Sequence, residues 1–157
     1  MKRNSSLDGI TVVDLSRVVA GPFATQILSD LGATDIKVER ADGVSDDARG
    51  SVPSNTKGVI PVFAALNRRK ESIAVDLRTE EGFGVIRRII RDADVLIHNF
   101  RPGVMQRLGL DYDDVAQINP QIIYCGISGF GELGPLREKA ANDVVMQAFS
   151  GLMSFIG

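Results

Sequence analysis

Apolar residues occur along this chain in short runs that alternate with helically spaced ones. Ile10 to Asp14, Asp35 to Glu39, Ser72 to Leu77, Val95 to His98 and Ile122 to Ile127 have the length and composition of strands. They read as continuously apolar rather than alternating, the pattern of parallel strands covered on both faces. After the first strand, Phe23, Ala24, Ile27, Leu28 and Leu31 form one helical face, with Pro22 suited to the first helical position and Gly32 to closure. Thr79 followed by Glu80 and Glu81 opens a second helix, in which Phe83, Ile86, Ile89, Ile90 and Ala93 supply a buried stripe.

A helical or irregular stretch is expected near Val62 to Leu66, and 41–58, polar with Pro53, reads as a loop. Pro102 starts a short helix ended by Gly109. Asp111 caps another that stops at Asn119-Pro120, and Asn142 or Asp143 caps a last one, where Val145, Phe149 and Leu152 share a face. Strand and helix thus alternate with short connections. The predicted fold is α/β: an open, mainly parallel, Rossmann-like sheet of about five strands with helices on both faces.

Composition narrows the function classes. A chain of 157 residues is about one domain, here 1–157, able to bury a core without staples. Eighteen Lys and Arg against 20 Asp and Glu leave the chain slightly acidic, which argues against nucleic acid as the main partner. No run of apolar residues is long enough for a signal peptide or a membrane span, so no membrane partner and a cytoplasmic location are expected. The lone Cys125 reads as a small buried hydrophobe in a reducing compartment. Arg68, Arg69 and Lys70 form one basic cluster and Arg87, Arg88 and Arg91 another, the latter on the solvated side of its helix.

Gly129, Gly131 and Gly134 spell the G-x-G-x-x-G pattern of dinucleotide binding. That pattern works only where a helix begins at the glycines, so that its N-terminus meets the pyrophosphate. Here Pro135 and Leu-Arg-Glu-Lys follow, and about twenty residues further on no carboxylate awaits a ribose. The NAD or FAD reading fails. His98 is the only histidine, which removes His-based metal clusters and every triad needing a second one; no metal is expected.

Several ordered motifs carry a family resemblance. Leu7-Asp8-Gly9-Ile10 through Val13-Asp14-Leu15-Ser16, Ala20-Gly21-Pro22, and Leu31-Gly32-Ala33 to Ile36-Lys37-Val38-Glu39-Arg40 resemble the N-terminal signature of class III CoA-transferases, the CaiB/BaiF family. Asn67-Arg68-Arg69-Lys70, Asn99-Phe100-Arg101-Pro102-Gly103 and Ser128-Gly129-Phe130-Gly131 with Gly134-Pro135 continue it in order. The resemblance implies a domain that binds coenzyme A, in a polypeptide that normally runs on to more than twice this length and forms homodimers. It also implies a reaction that moves CoA from an acyl-CoA to a free carboxylic acid, through an aspartyl mixed anhydride.

The resemblance further assigns coenzyme A contacts to Val19 and Ala20, Arg40, Val75-Asp76-Leu77-Arg78, Asn99-Phe100-Arg101 and Arg107, with Lys139 and Asp143 flanking a last segment. Guanidinium groups suit the ligand's phosphates and apolar walls its adenine. No catalytic residue is assigned within the chain, because the family's nucleophilic aspartate lies beyond Gly157; Asp143 is read as a helix cap or a support of the site. The related α-methylacyl-CoA racemases carry His-Asp at Asn142-Asp143, and an asparagine cannot act as a general base. Two alternatives therefore stand beside the transferase: that racemase, and a non-catalytic CoA-binding remnant. Donor and acceptor acids are not legible.

Overall fold

The computed structural model describes residues 5–42, 46, 48 and 61–156. Most of the loop expected over 41–58 lies outside the described residues. Within them, β1 (Thr11–Asp14), α1 (Ala20–Asp30), β2 (Thr34–Glu39), α2 (Pro61–Leu66), β3 (Glu71–Ala74) and α3 (Glu80–Arg91) follow one another. After these come β4 (Val95–His98), α4 (Val104–Arg107), α5 (Tyr112–Ile118), β5 (Ile123–Gly126), α6 (Asp143–Phe149) and α7 (Met153–Ile156). The strands form one parallel sheet in the order β3-β2-β1-β4-β5. This is the expected α/β architecture, and the order matches a classic doubly wound sheet as far as it goes.

Helix ends follow local rules. The Thr79 side chain accepts from Gly82 N at 3.1 Å and caps α3, and Asp111 caps α5 by accepting from Asp114 N at 3.0 Å. Gly109 closes the turn after α4 with φ +64°, and Gly32 closes α1 with φ +106°. At the last helix Asn142, in extended backbone, is the cap, accepting from Val145 N at 3.0 Å. Asp143 is already helical, so it cannot hold that position. Gly151, at φ +78°, then breaks the chain before Leu152, which places Leu152 outside the helix of Val145 and Phe149. β3 ends earlier than expected: Val75 N still donates to Glu39 O of β2 at 2.8 Å, and Asp76 and Leu77 turn over the end of the sheet.

Two cores flank the sheet. On one face Val13, Val38 and Leu96 pack with Ile86 and Ile90 of α3 and with Leu110 and Val115, so the predicted stripe of α3 is the buried one. On the other face Val12, Ala33 and Ile97 pack with Leu28 of α1. The α1 stripe departs from expectation: Phe23, Ile27 and Leu31 are 54%, 46% and 44% exposed, while Gly21, Pro22, Thr25, Gln26 and Ser29 are buried. The cause lies in the strands beneath. Asp14, Asp35 and Lys37 are buried, so these strands are not continuously apolar, and α1 sets its polar face on a polar layer.

Lys70 joins that layer, its side chain only 1% exposed. Its Nζ donates to Asp14 Oδ2 at 3.0 Å, Thr25 Oγ1 at 2.6 Å and Pro22 O at 3.0 Å, and lies 3.5 Å from Asp35 Oδ2. Arg68, two positions earlier, stays at the surface and pairs with Asp30. Gly21 is required here, because a Cβ on it would stand 2.1 Å from Ser16 Cβ. Among the described residues, no helix is long and apolar enough to cross a membrane.

Candidate functional site

A cavity of about 350 Å³ opens at the carboxyl ends of β1 to β4, where open α/β sheets bind ligands. Its floor is apolar because the strands end in core residues: Leu15, Val38 and Val75 are all at least nine-tenths buried. Leu77, Phe100, Val104 and Leu108 form the walls. The rim is charged. Arg17, Arg40 and Arg78 stand among Glu39, Asp42 and Asp76, so the lining formally balances at three charges of each sign.

Four of these charges form two pairs. Arg78 grips Asp76 with two parallel hydrogen bonds of 2.9 Å, Nε to Oδ1 and NH2 to Oδ2. The hydrogen bonds from the Arg78 side chain and backbone hold the Asp76 carboxyl down at about 2, and the Arg78 guanidinium is in turn shifted up by Asp76. Arg40 pairs with Asp42, and Glu39 Oε1 accepts from Ser72 Oγ at 2.7 Å. The two N–H groups that Arg78 gives Asp76 fix the plane of its guanidinium and leave three of its five donors for an anion.

The turn after β1 is fixed group by group. Asn99 Oδ1 accepts from Arg17 N and Asn99 Nδ2 donates to Arg17 O, both at 2.8 Å. Ser16 N donates to Asp14 Oδ1 at 2.8 Å, Lys37 Nζ to Ser16 O at 3.0 Å, and Val18 N to Asp46 Oδ1 at 3.0 Å. Lys37 and Asp46 also form a buried ion pair at 3.3 Å. Between these clamps Val18 takes φ +66°, a left-handed conformation rare for a β-branched residue and one that persists only where its surroundings impose it. The Arg17 guanidinium lies 5.0 Å from the centroid of the Phe100 ring.

Of the expected contact residues, Arg40, Val75, Asp76, Leu77, Arg78 and Phe100 meet in this cavity. Asn99 borders it through Arg17. Arg101 lies instead in a larger cleft, of about 1020 Å³, that runs along β5 with His98, Tyr124, Cys125, Glu132 and Arg137. Val19, Ala20, Arg107, Lys139 and Asp143 line neither space. Val19 and Ala20 begin α1 and are exposed, and Lys139 is exposed in the segment before α6. Arg107 packs near Gly103, and Asp143 accepts from Gln147 Nε2 at 2.6 Å within its own helix. Cys125 is half-buried in the cleft rather than enclosed.

His98 accepts from Phe100 N at 3.4 Å through Nδ1, which leaves its neutral-state proton on Nε2, and burial lowers its pKa. Asn142, where a racemase carries its histidine, spends its side-chain oxygen on the helix cap. Sequence reasoning missed Leu15, Arg17, Val38, Glu39 and Asp42. A common signal marks them: each lies at or just past a strand's carboxyl end.

A model of "CoA-transferase family III" matches residues 7–157. The chain belongs to CoA-transferase family III. Family III relatives agree over nearly its full extent. It is 43% identical to a succinate–glutarate CoA-transferase of Agrobacterium fabrum, over 99% of this chain and 40% of that protein. It is 46% identical to an acetyl-CoA:oxalate CoA-transferase of Acetobacter aceti, again over 99% of this chain and 40% of the relative. The crystal structure of a CaiB/BaiF family protein from Brucella suis superposes with a TM-score of 0.89 at 46% identity, covering 96% of this chain and 40% of that one. This family III chain thus spans about two-fifths of the length of the relatives it matches.

Proposed function

We propose that residues 1–157 are a Rossmann-like coenzyme A-binding domain of a class III CoA-transferase, with the nucleotide end of the ligand in the cavity at the strand ends. The observation that carries this is convergence. Arg40, Val75 to Arg78 and Phe100, assigned from three separate segments, line one apolar pocket rimmed by guanidinium groups. Phosphates suit that rim and adenine suits that floor. The reaction is transfer of CoA from an acyl-CoA to a carboxylic acid. A carboxylate attacks the thioester carbonyl and expels CoA thiolate, which attacks the carboxylate side of the mixed anhydride to release the donor acid and leave an enzyme thioester. The acceptor acid then displaces CoA thiolate to form a second anhydride, and the thiolate takes the acceptor acyl group, regenerating the carboxylate.

That carboxylate is not supplied by these residues. Asp143 is exposed and held by Gln147, and the family resemblance gives it no nucleophilic role. The 157-residue chain is therefore expected to bind CoA and to transfer nothing; measurable exchange between an acyl-CoA and a free acid by the purified chain would refute this. Homodimerisation and a cytoplasmic location belong to the same proposal. Calorimetric titration tests the pocket: Arg40→Ala weakens CoA binding by about 1–3 kcal/mol through a lost charge-assisted contact. Unchanged affinity would remove Arg40 from the site.

A further inference from the structure

Arg17 is not among the residues that the family resemblance assigns to the ligand, yet both its peptide and its guanidinium are held in place. Its peptide is gripped from both sides by one side chain: Asn99 accepts from its N–H and donates to its C=O, each at 2.8 Å. That exchange is the pairing of two amides in a sheet, made here by a side chain 82 residues away in sequence. One lone pair and one N–H of the Asn99 amide are used on Arg17, which fixes the side chain and leaves its second N–H and second lone pair for another contact. The following residue, Val18, is held at φ +66°. A left-handed valine is strained, and such conformations cluster where function uses them.

The guanidinium end is directed as well. It lies over the face of Phe100, 5.0 Å from the ring centroid, and lines the same cavity as Arg40 and Arg78. A guanidinium over an aromatic face keeps its charge and its planar N–H fork, the two features by which arginine binds a phosphate. Asn99 and Phe100 are adjacent at the end of β4, so a single strand end holds both the backbone and the head of a residue at the end of β1.

We propose that Arg17 is a phosphate-binding residue of this cavity, and that Asn99 is a positioning residue that acts through it. The inference rests on the coenzyme A reading of the cavity and adds to it a residue, a ligand group and a division of labour. The phosphate is either the diphosphate or the 3′-phosphate of CoA, which present the same oxygens to the fork. A neutral residue at position 17 removes the contact. A neutral residue at position 99 leaves the guanidinium present but lets its backbone drift.

The test is calorimetric titration of the 157-residue chain and its Arg17→Gln, Arg17→Lys, Asn99→Ala and Arg17→Gln/Asn99→Ala variants with CoA and with dephospho-CoA. Thermal unfolding accompanies each titration, to show that the variant folds. Arg17→Gln weakens CoA at least tenfold, and Arg17→Lys, which keeps the charge without the fork, lies between it and the parent. Asn99→Ala weakens CoA severalfold, but in the Arg17→Gln background it adds less than twofold. An equal loss with dephospho-CoA assigns the diphosphate, and a loss confined to CoA assigns the 3′-phosphate; both support the proposal.

CoA affinity within twofold of the parent in Arg17→Gln overturns the role of Arg17. Fully additive losses overturn the positioning role of Asn99. If Asn99→Ala fails to fold, the Arg17 variants still decide the first claim, and Asn99→Leu, which keeps the shape, adds no charge and loses both hydrogen bonds, decides the second by the same cycle. A folded parent chain that takes up neither ligand refutes the coenzyme A reading itself, and Arg17 with it; that outcome is distinct from a failure at Arg17 alone.

Discussion

Replacing Asp35 with asparagine probes the polar layer beneath α1. Asp35 is 1% exposed, and among the described residues neither of its carboxylate oxygens has a hydrogen-bond partner within bonding geometry. Around it stand Asp14, Lys70 at 3.5 Å and the Thr25 hydroxyl. Desolvation by burial, and then the charge of Asp14, raise its pKa from 3.8 to about 6, against the opposing pull of Lys70 and Thr25. The folded chain therefore binds this proton more tightly than the unfolded chain does. The stability contributed by the protonated carboxyl is complete below about pH 4 and is lost as pH rises to about 6.

The gap between 3.8 and about 6 corresponds to about 3 kcal/mol of burden on the fold at pH 7.5. Asparagine has the shape of the protonated acid and cannot ionise, and it leaves Lys70 paired one to one with Asp14. Asp35→Asn is therefore expected to be more stable than the parent by about 1–3 kcal/mol at pH 7.5, with the difference shrinking toward zero at pH 4. Urea unfolding at a series of pH values reads this as a midpoint shift. The reasoning fails if Asp35→Asn is the less stable protein at pH 7.5, or if its advantage does not change with pH.

Two further substitutions test the scaffold. Gly82→Ala would place a Cβ 2.1 Å from Asp76 O and 3.0 Å from Thr79 Oγ1, so the segment carrying Asp76 and Arg78 must move; the expected cost is about 2 kcal/mol or more, together with weaker CoA binding. Thermal unfolding and titration of the same sample check both effects. Asn119 Nδ2 donates to Ile90 O at 3.1 Å and Ala93 O at 2.7 Å, tying the end of α5 to the end of α3. Asn119→Ala leaves those carbonyls short of a donor and should cost about 1–3 kcal/mol in urea unfolding, with CoA affinity unchanged.

The elements legible in the sequence were those whose local chemistry and tertiary role agree. Thr79 caps, Glu80 and Glu81 suit the first turn, and Ile86 and Ile90 fall where both helical period and core require them, so α3 is specified at every level. At α1 the levels conflict. Its apolar stripe is genuine, but the sheet beneath carries Asp14, Asp35 and Lys37; the partner of the two carboxylates, Lys70, enters from 56 positions beyond Asp14, and Lys37 pairs with Asp46. Periodicity within one helix reports only that helix. What the helix buries depends on the layer it meets, and that layer was assembled from residues which singly read as surface charge.

The site divides along the same line. Arg40, Val75 to Arg78 and Phe100 carry their roles in short segments that end strands, so a linear motif points to them directly. Arg17 is different, because its placement comes from another strand's end. Nothing in the run Leu15-Ser16-Arg17-Val18 indicates that Asn99 will take both ends of its peptide, or that Phe100 will lie beneath its guanidinium. The strained Val18 is equally silent in sequence, since a β-branched residue at the end of a strand predicts extended backbone and not φ +66°. Pairing β1 with β4 in parallel register, Asp14 opposite Ile97, brings Arg17 and Asn99 past the sheet together. A residue whose function depends on register is invisible until the register is known, and Arg17 is such a residue.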